Sequence, residues 1–216
     1  MASIDTQTQS RTIGWVTIAT GIASIALLLN HPAEQATDFN GLLREEAANQ
    51  MINAIVHGGF MVVLAIQLVC YAVFTGRAGW AKSLAIAGFT FFAVGAAFQI
   101  ASLLVDGLMI PAIAQRYLAA PPDRLPFGRT LFALCGIAVQ FLMPIGIGFQ
   151  AAGIVSWGAS LARSGTGIAG LVLGLATMVA IVAGALTGAQ HLLLIAIALL
   201  AFWAIVAGIA LLRRTK

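Results

Sequence analysis

The chain has 216 residues, of which 61% are hydrophobic and only 8% are Asp, Glu, Lys or Arg. An ordinary soluble domain carries roughly 25% charged residues, and so few charges could not cover a surface that faces water. The composition therefore excludes a water-soluble globular domain, and it also excludes a disordered chain, which would be poor in apolar residues. The net charge of +4 would indicate nucleic acid only if a soluble face carried a basic patch. We predict an integral membrane protein, with the lipid bilayer as its partner and no nucleic acid.

Uncharged runs of sequence predict six membrane spans. A helix needs about 20 mostly apolar residues to cross the hydrocarbon core, and four uncharged runs, 12–33, 47–76, 83–105 and 130–162, each hold one such helix. The fifth run, 164–212, would reach more than twice the core thickness as a single helix. A polar break divides it into two helices, at Gly184, Thr187, Gly188, Gln190 and His191. The predicted fold is an all-α bundle forming one membrane domain, 1–216, with spans near 12–30, 50–75, 83–106, 130–158, 166–186 and 190–212.

Two of the connections are long and polar enough to lie at a membrane surface. Segment 32–48 contains Phe39, Leu42 and Leu43 among charged residues, which predicts a short amphipathic helix on the outer surface. Segment 109–128 contains four prolines, which predicts part interfacial helix and part irregular loop.

The charges of the connections differ between the two sides of the predicted bundle. The side with both termini carries seven basic residues and one acid: Asp5, Arg11, Arg77, Lys82, Arg163, Arg213, Arg214 and Lys216. The other side carries four basic residues and six acids: Glu34, Asp38, Arg44, Glu45, Glu46, Asp106, Arg116, Asp123, Arg124 and Arg129. An excess of Lys and Arg marks the cytoplasmic side, so we expect a multi-pass protein of the cytoplasmic membrane with both termini inside. Trp15, Tyr71, Trp80 and Trp157 fall near the predicted cytoplasmic ends, and we expect them at the headgroup level.

Glycines and cysteines give structural rather than functional signals. Segment 165–170 reads GTGIAG, but a dinucleotide fingerprint needs a preceding strand and a later acidic residue, and no Asp or Glu follows Asp123. The G-x-x-x-G pairs Gly170/Gly174 and Gly184/Gly188 predict close helix packing, and the glycine-rich spans five and six could serve a homo-oligomer or another membrane protein. Cys70 and Cys135 lie at different predicted depths, which argues against a disulfide.

Polar residues inside the spans are costly, so each needs a partner, a cavity or a function. On span two, a stripe at helical spacing descends from the outer surface: Glu46, Asn49, Gln50, Asn53 and His57. On span three, Gln99, Ser102 and Asp106 share a face, and Gln140 lies near mid-membrane on span four, ahead of Pro144. We predict that these groups line a pocket open to the outside. Gln67 and Gln150 are predicted to form interhelical hydrogen bonds.

The candidate ligand or metal residues are His57, His191 and Asp106, with His31 as a further candidate. Imidazole and carboxylate together suit Zn, Cu or Fe, two histidines on different helices could hold a haem, and a His–carboxylate pair could act as acid and base. The chain has no H-x-x-x-H, H-E-x-x-H or C-x-x-C motif. The spacing therefore identifies neither a particular cofactor nor catalytic residues.

Each of these residues also has a purely structural interpretation. His31 and His191 could anchor helix ends at the headgroups, Asp106 could mark the membrane boundary, and His57 could join helices through Asn53 or Gln99. Three classes of function stay open: a membrane enzyme or cofactor protein with an outward-facing polar site, a small transporter or channel, and an accessory subunit of another membrane protein.

Overall fold

The computed structural model describes residues 6–32, 36, 38–189 and 191–213. This part of the chain is helical and contains no strand, and six of its helical segments are long and apolar enough to cross a membrane. The prediction of an all-α fold with six helices able to span a membrane is confirmed for the described residues. Some residues used in the charge and turn arguments lie outside the described ranges: Asp5, Glu34, Gln190, Arg214 and Lys216.

The described residues form eight α-helices. They are α1 (Thr6–Leu29), α2 (Phe39–Ala48), α3 (Gln50–Gly79), α4 (Ser83–Leu104), α5 (Ile110–Leu118), α6 (Leu125–Ser160), α7 (Gly165–Thr187) and α8 (His191–Leu212). A π-helical turn, Val105–Met109, joins α4 to α5, and a 3-10 turn, Pro122–Arg124, precedes α6. The third candidate span continues from α4 through the π-helical turn and α5, and α6 continues through Pro144.

The six long helices form a closed ring. Helix α3 packs between α1 and α4, α6 packs between α4 and α7, and α8 packs between α7 and α1. At one end of the ring, the Arg77 guanidinium donates hydrogen bonds to the Leu211 carbonyl (2.5 Å) and to Ser10 Oγ (3.2 Å). The start of α1, the end of α3 and the end of α8 therefore meet at that end.

Glycines allow the closest helix contacts in the ring. A Cβ added to Gly95 of α4 would lie 2.4 Å from the carbonyl oxygen of Gly146 on α6. A Cβ added to Gly208 of α8 would lie 2.7 Å from the carbonyl oxygen of Gly14 on α1. The helix backbones touch at these positions. Only glycine fits there, because any side chain would collide with a carbonyl group.

The predicted packing role of the G-x-x-x-G pairs is confirmed for one pair only. A Cβ on Gly170 would lie 3.1 Å from Gly158 Cα, and a Cβ on Gly174 would lie 3.0 Å from the Ala151 carbonyl oxygen, so both glycines pack α7 against α6. Gly188 instead ends α7 in the left-handed conformation (φ +70°), where its N–H bonds to the Gly184 carbonyl at 2.9 Å. That turn separates α7 from α8, and glycine tolerates its positive φ at no steric cost.

Tyr71 and Trp157 do not face the headgroups as expected, because both pack inside the ring of helices. Both are buried, at 1% and 0% exposure, whereas Trp15 and Trp80 are 62% and 48% exposed. The two buried rings belong to an aromatic cluster inside the ring of helices, made of Tyr71, Phe74, Phe92, Trp157 and Trp203. Trp157 Nε1 donates to Thr75 Oγ1 at 3.0 Å, so its polar edge is satisfied without water.

At the opposite end from Arg77, the two short helices pack against each other. Leu43 of α2 contacts Ala114 and Tyr117 of α5, and these three buried residues form a small core of their own. Asp38 caps α2 by accepting a hydrogen bond from the Gly41 N–H at 3.0 Å. This pairing holds α2 in place, and α2 carries Glu46 to the site described next.

Candidate metal centre

Three side chains from three parts of the chain converge at the α2–α5 end of the ring. His57 Nε2 lies 3.3 Å from His31 Nε2 and 3.1 Å from Asp106 Oδ2. One ligand atom from each of the three residues lies within 4.8 Å of the others, so the group could hold one metal ion. His57 is buried, whereas the Asp106 side chain is 28% exposed and His31 is exposed.

The backbone at Asp106 explains how a span-three carboxylate reaches His57. Asp106 lies in the π-helical turn between α4 and α5, and such turns often occur at functional sites because they locally break the α-helical register. The next residue, Gly107, is buried against His57: a Cβ at Gly107 would lie 2.2 Å from His57 Cβ. The glycine therefore allows the turn to come close enough for Asp106 to contact the imidazole.

The second ring nitrogen, Nδ1, of both His31 and His57 faces a backbone carbonyl. His57 Nδ1 lies 2.9 Å from the Asn53 carbonyl oxygen, and His31 Nδ1 lies 2.9 Å from the Pro32 carbonyl oxygen. A carbonyl oxygen only accepts hydrogen bonds, so each Nδ1 carries the proton and donates it. In a neutral imidazole the other nitrogen then presents a lone pair, and both Nε2 lone pairs point into the group with the Asp106 carboxylate.

A polar stripe on α2 and α3 supports the ring of His57. Asn53 Nδ2 donates to Glu46 Oε2 at 2.9 Å, and both residues are buried. Because the Asn53 backbone carbonyl accepts the His57 proton, the carboxylate of α2 is connected to the histidine through Asn53. Three members of the predicted stripe, Glu46, Asn53 and His57, are thus connected by hydrogen bonds in the folded chain.

A cavity of about 40 Å³ lies among these groups. It is lined by His31, Pro32, Glu46, Asn49, Asn53, His57 and Asp106. A polar cavity of this size can hold a few water molecules. An ion bound by the three ligands would therefore keep room for a further small ligand.

The structure brings together three of the four candidate ligand residues. His57 and Asp106 meet as expected, but their third partner is His31, and His191 does not join them. His191 is exposed at the first residue of α8. It lies there because Gly188 ends α7 just before it and starts the turn.

The predicted Gln99 and Gln140 also lie away from the cluster. Gln99 is buried on α4, accepts a hydrogen bond from Gln150 Nε2 at 2.5 Å, and lines a second cavity of about 20 Å³. Gln140 is exposed on α6. Gln67 Nε2 donates to Thr20 Oγ1 at 3.4 Å, so the predicted interhelical bonds of Gln67 and Gln150 are confirmed.

Two features of the site are missing from the sequence argument. The π-helical turn has no motif of its own, although Gly107 and Pro111 beside Asp106 are signs of an irregular backbone. The Pro32 carbonyl was also unforeseen as the acceptor for His31, since only the folded connection places it there.

Comparison of the chain with protein-family models, with curated proteins and with solved structures found no match. The geometry of the residues described above is therefore the basis for inferring a function.

Proposed function

We propose that this protein is a membrane-embedded metalloprotein that binds one divalent transition-metal ion of the Zn²⁺ class. The ligands are His31 Nε2, His57 Nε2 and Asp106 Oδ2. The observation that carries the proposal is that both Nδ1 atoms donate to backbone carbonyls, while three acceptor atoms converge. Histidines that ligate metals almost always donate their other ring N–H to a carbonyl, a carboxylate or water.

The distances from His57 Nε2 to the other two acceptor atoms support a metal centre. Zinc lies about 2.0–2.1 Å from histidine nitrogen and carboxylate oxygen, and tetrahedral angles then separate neighbouring ligand atoms by about 3.3 Å. The two contacts at His57 Nε2 are 3.3 Å and 3.1 Å. Two imidazoles and one carboxylate are also a ligand set that zinc, copper and iron accept.

A proton satisfies this arrangement less well than a metal ion does. If His57 were protonated at Nε2, its single N–H could point at either His31 Nε2 or Asp106 Oδ2, but not at both. A metal ion between the three residues accepts all three lone pairs at once. The buried Glu46 in the same cavity adds a second carboxylate, which favours a cation further.

The size of the cavity favours a single ion over a haem. The His31 and His57 rings meet edge to face, with centroids 5.0 Å apart, beside a space of about 40 Å³. A haem axially held by two histidines needs its macrocycle between them, for which this space is too small.

Three protein ligands beside a polar cavity support an exchangeable fourth position. Structural zinc sites are closed by four protein ligands, whereas catalytic sites keep three and leave a position for water or substrate. We therefore favour a metal centre that binds a small ligand over a purely structural clip.

The orientation of the site follows from the charge asymmetry of the connections. We place the metal centre at the outer surface of the cytoplasmic membrane and both termini in the cytoplasm, because Arg77 and the basic residues near it lie at the opposite end.

Metal analysis of purified protein tests the proposal. We expect elemental analysis of the chelator-stripped and Zn²⁺-reloaded protein in nanodiscs to give about one ion per chain. His57→Ala is expected to abolish that binding. His191→Ala is the matched control, because it removes the one described histidine outside the cluster and should bind like wild type.

Co²⁺ substitution tests whether the proposed site keeps an exchangeable coordination position. Co²⁺-loaded protein should show a visible ligand-field spectrum that changes when azide is added, as an exchangeable position requires. Wild-type protein without stoichiometric metal, or equal losses in the His57 and His191 variants, would show that the cluster is not a metal site.

A further inference from the structure

Helix α6 exposes a polar side chain at mid-length. Gln140 is exposed, and it lies 15 residues after the helix begins and 20 before it ends. Its neighbours Ile137 and Phe141 are 50% and 65% exposed, so this side of α6 faces lipid in the single chain. No described group forms a hydrogen bond with the Gln140 amide.

Lipid cannot satisfy that amide. The hydrocarbon core offers no hydrogen-bond donors or acceptors, so polar groups there need partners from protein. Gln side chains in membrane helices accordingly bond across helix interfaces, as Gln99 and Gln150 do inside this bundle. Gln140 therefore indicates a protein contact on the outer side of α6.

Open glycines flank Gln140 in the same helical row. Gly136, Gln140, Pro144 and Gly148 follow one another at steps of four, which form one ridge or groove on a helix surface. A Cβ added to Gly136 or Gly148 would meet nothing within 4 Å. These glycines differ from Gly146 and Gly95, whose small size is already used in contacts between α4 and α6.

We propose that the occupant of this surface is a second copy of the chain, so that the protein is a two-fold dimer through α6. Copies inserted in the same orientation place every residue at the same depth, so Gln140 of one copy lies opposite Gln140 of its partner. An amide carries both donors and an acceptor, and a two-fold interface pairs each surface patch with itself. Small residues at steps of four allow such helices to approach closely.

The glycine-rich α7 and α8 offer less for such a contact. Gly170 and Gly174 already pack against α6, and Gly208 packs against α1. On α6, by contrast, two open glycines lie in one helical row with the exposed amide of Gln140. This dimer does not depend on the metal, because Gln140 does not line the cavity at the ligands.

Subunit counting in lipid tests the dimer. We expect single-molecule photobleaching of labelled full-length protein in liposomes, over a range of protein-to-lipid ratios, to show a monomer–dimer equilibrium. Gln140→Leu should weaken association about tenfold or more, as expected for losing two reciprocal interhelical hydrogen bonds. Phe141→Leu, which changes an adjacent lipid-facing residue, should leave the equilibrium within about twofold of wild type.

Added bulk at the open glycines gives a second, independent readout. Gly148→Leu should abolish the dimer without unfolding the chain, since the space beside Gly148 is open. Gly58→Leu on α3 is the matched control, because Gly58 is equally open but lies on another helix. Wild type that stays monomeric at every ratio, or that pairs only with a different protein, would overturn the proposal. So would a dimer that all the α6 variants leave unchanged.

Discussion

At the scale of single residues, the carboxylate of Asp106 is the proposed ligand that distinguishes a metal centre from two histidines in edge-to-face contact. Asp106→Asn keeps the size of the side chain but removes its negative charge. We expect Zn²⁺ affinity to fall by about 100-fold or more, since even residues that only support ligands cost 10–100-fold. Competition with a chelating dye measures this. The side chain is partly exposed, so the folding stability of the metal-free protein should change little, and an unchanged affinity would contradict the ligand assignment.

Glu46 supports the site from α2 without belonging to the ligand group. Its carboxylate accepts the Asn53 amide in a buried position, and Glu46→Ala would leave that amide without its acceptor. An unsatisfied buried donor costs about 1–3 kcal/mol, so we expect the free energy of unfolding to fall by that amount in denaturant titrations. Glu46→Gln keeps an acceptor oxygen and should recover most of the loss. Equal losses in both variants would mean that the charge, not the hydrogen bond, stabilises the fold.

At the scale of secondary-structure elements, the π-helical turn positions Asp106 because Gly107 lets it lie against α3. In Gly107→Ala the new methyl group would collide with His57. Overpacking of this kind costs about 1–3 kcal/mol, and the displaced turn should also weaken Zn²⁺ binding. Gly58→Ala is the matched control, since the neighbouring space is open and alanine favours a helix by about 1 kcal/mol. Thermal unfolding and zinc titration of both variants provide the comparison.

At the end of the ring opposite the candidate site, Arg77 of α3 caps the C-terminus of α8. Arg77 donates to the last carbonyls of α8, at Leu211 and Arg213, where a cation also complements the negative end of the helix dipole. We expect Arg77→Gln to lower the free energy of unfolding by about 1–2 kcal/mol. Lys82→Gln changes an exposed cation and should be neutral. If the two variants lose equal stability in detergent, general charge rather than capping is responsible.

The sequence predicts elements better than it predicts how they meet. Long uncharged runs produce helices because backbone groups in lipid must bond within their own segment, and steps of three and four bring Glu46, Asn53 and His57 to one face. Local spacing cannot show that the segment after α1 brings His31 to His57. That contact depends on how α1 and α3 pack in the ring of helices. The same limit explains why His191 is predicted as a ligand but does not join the cluster. Its position at the outer end of span six does not show which residues it lies near.

At the scale of the whole molecule, the closed ring separates two chemically different ends. One end has the proposed metal ligands and the paired helices α2 and α5, and the other has the Arg77 cap and basic residues near it. Between them, the aromatic cluster around Trp157 and glycine contacts such as Gly95 against Gly146 fill the interior. A ligand could therefore reach the proposed metal centre from that end without crossing the packed interior.

The last whole-molecule prediction is the side of the membrane that the candidate site faces. The end opposite the site holds most of the Lys and Arg residues, so the positive-inside rule places it in the cytoplasm. We expect a green fluorescent protein fused after Lys216 to fluoresce, and an alkaline phosphatase fused there to be inactive. A phosphatase inserted near Ala120, between α5 and α6, should be active. The reverse pattern would place the metal centre on the cytoplasmic side, where its ion and any small ligand would come from the cell interior.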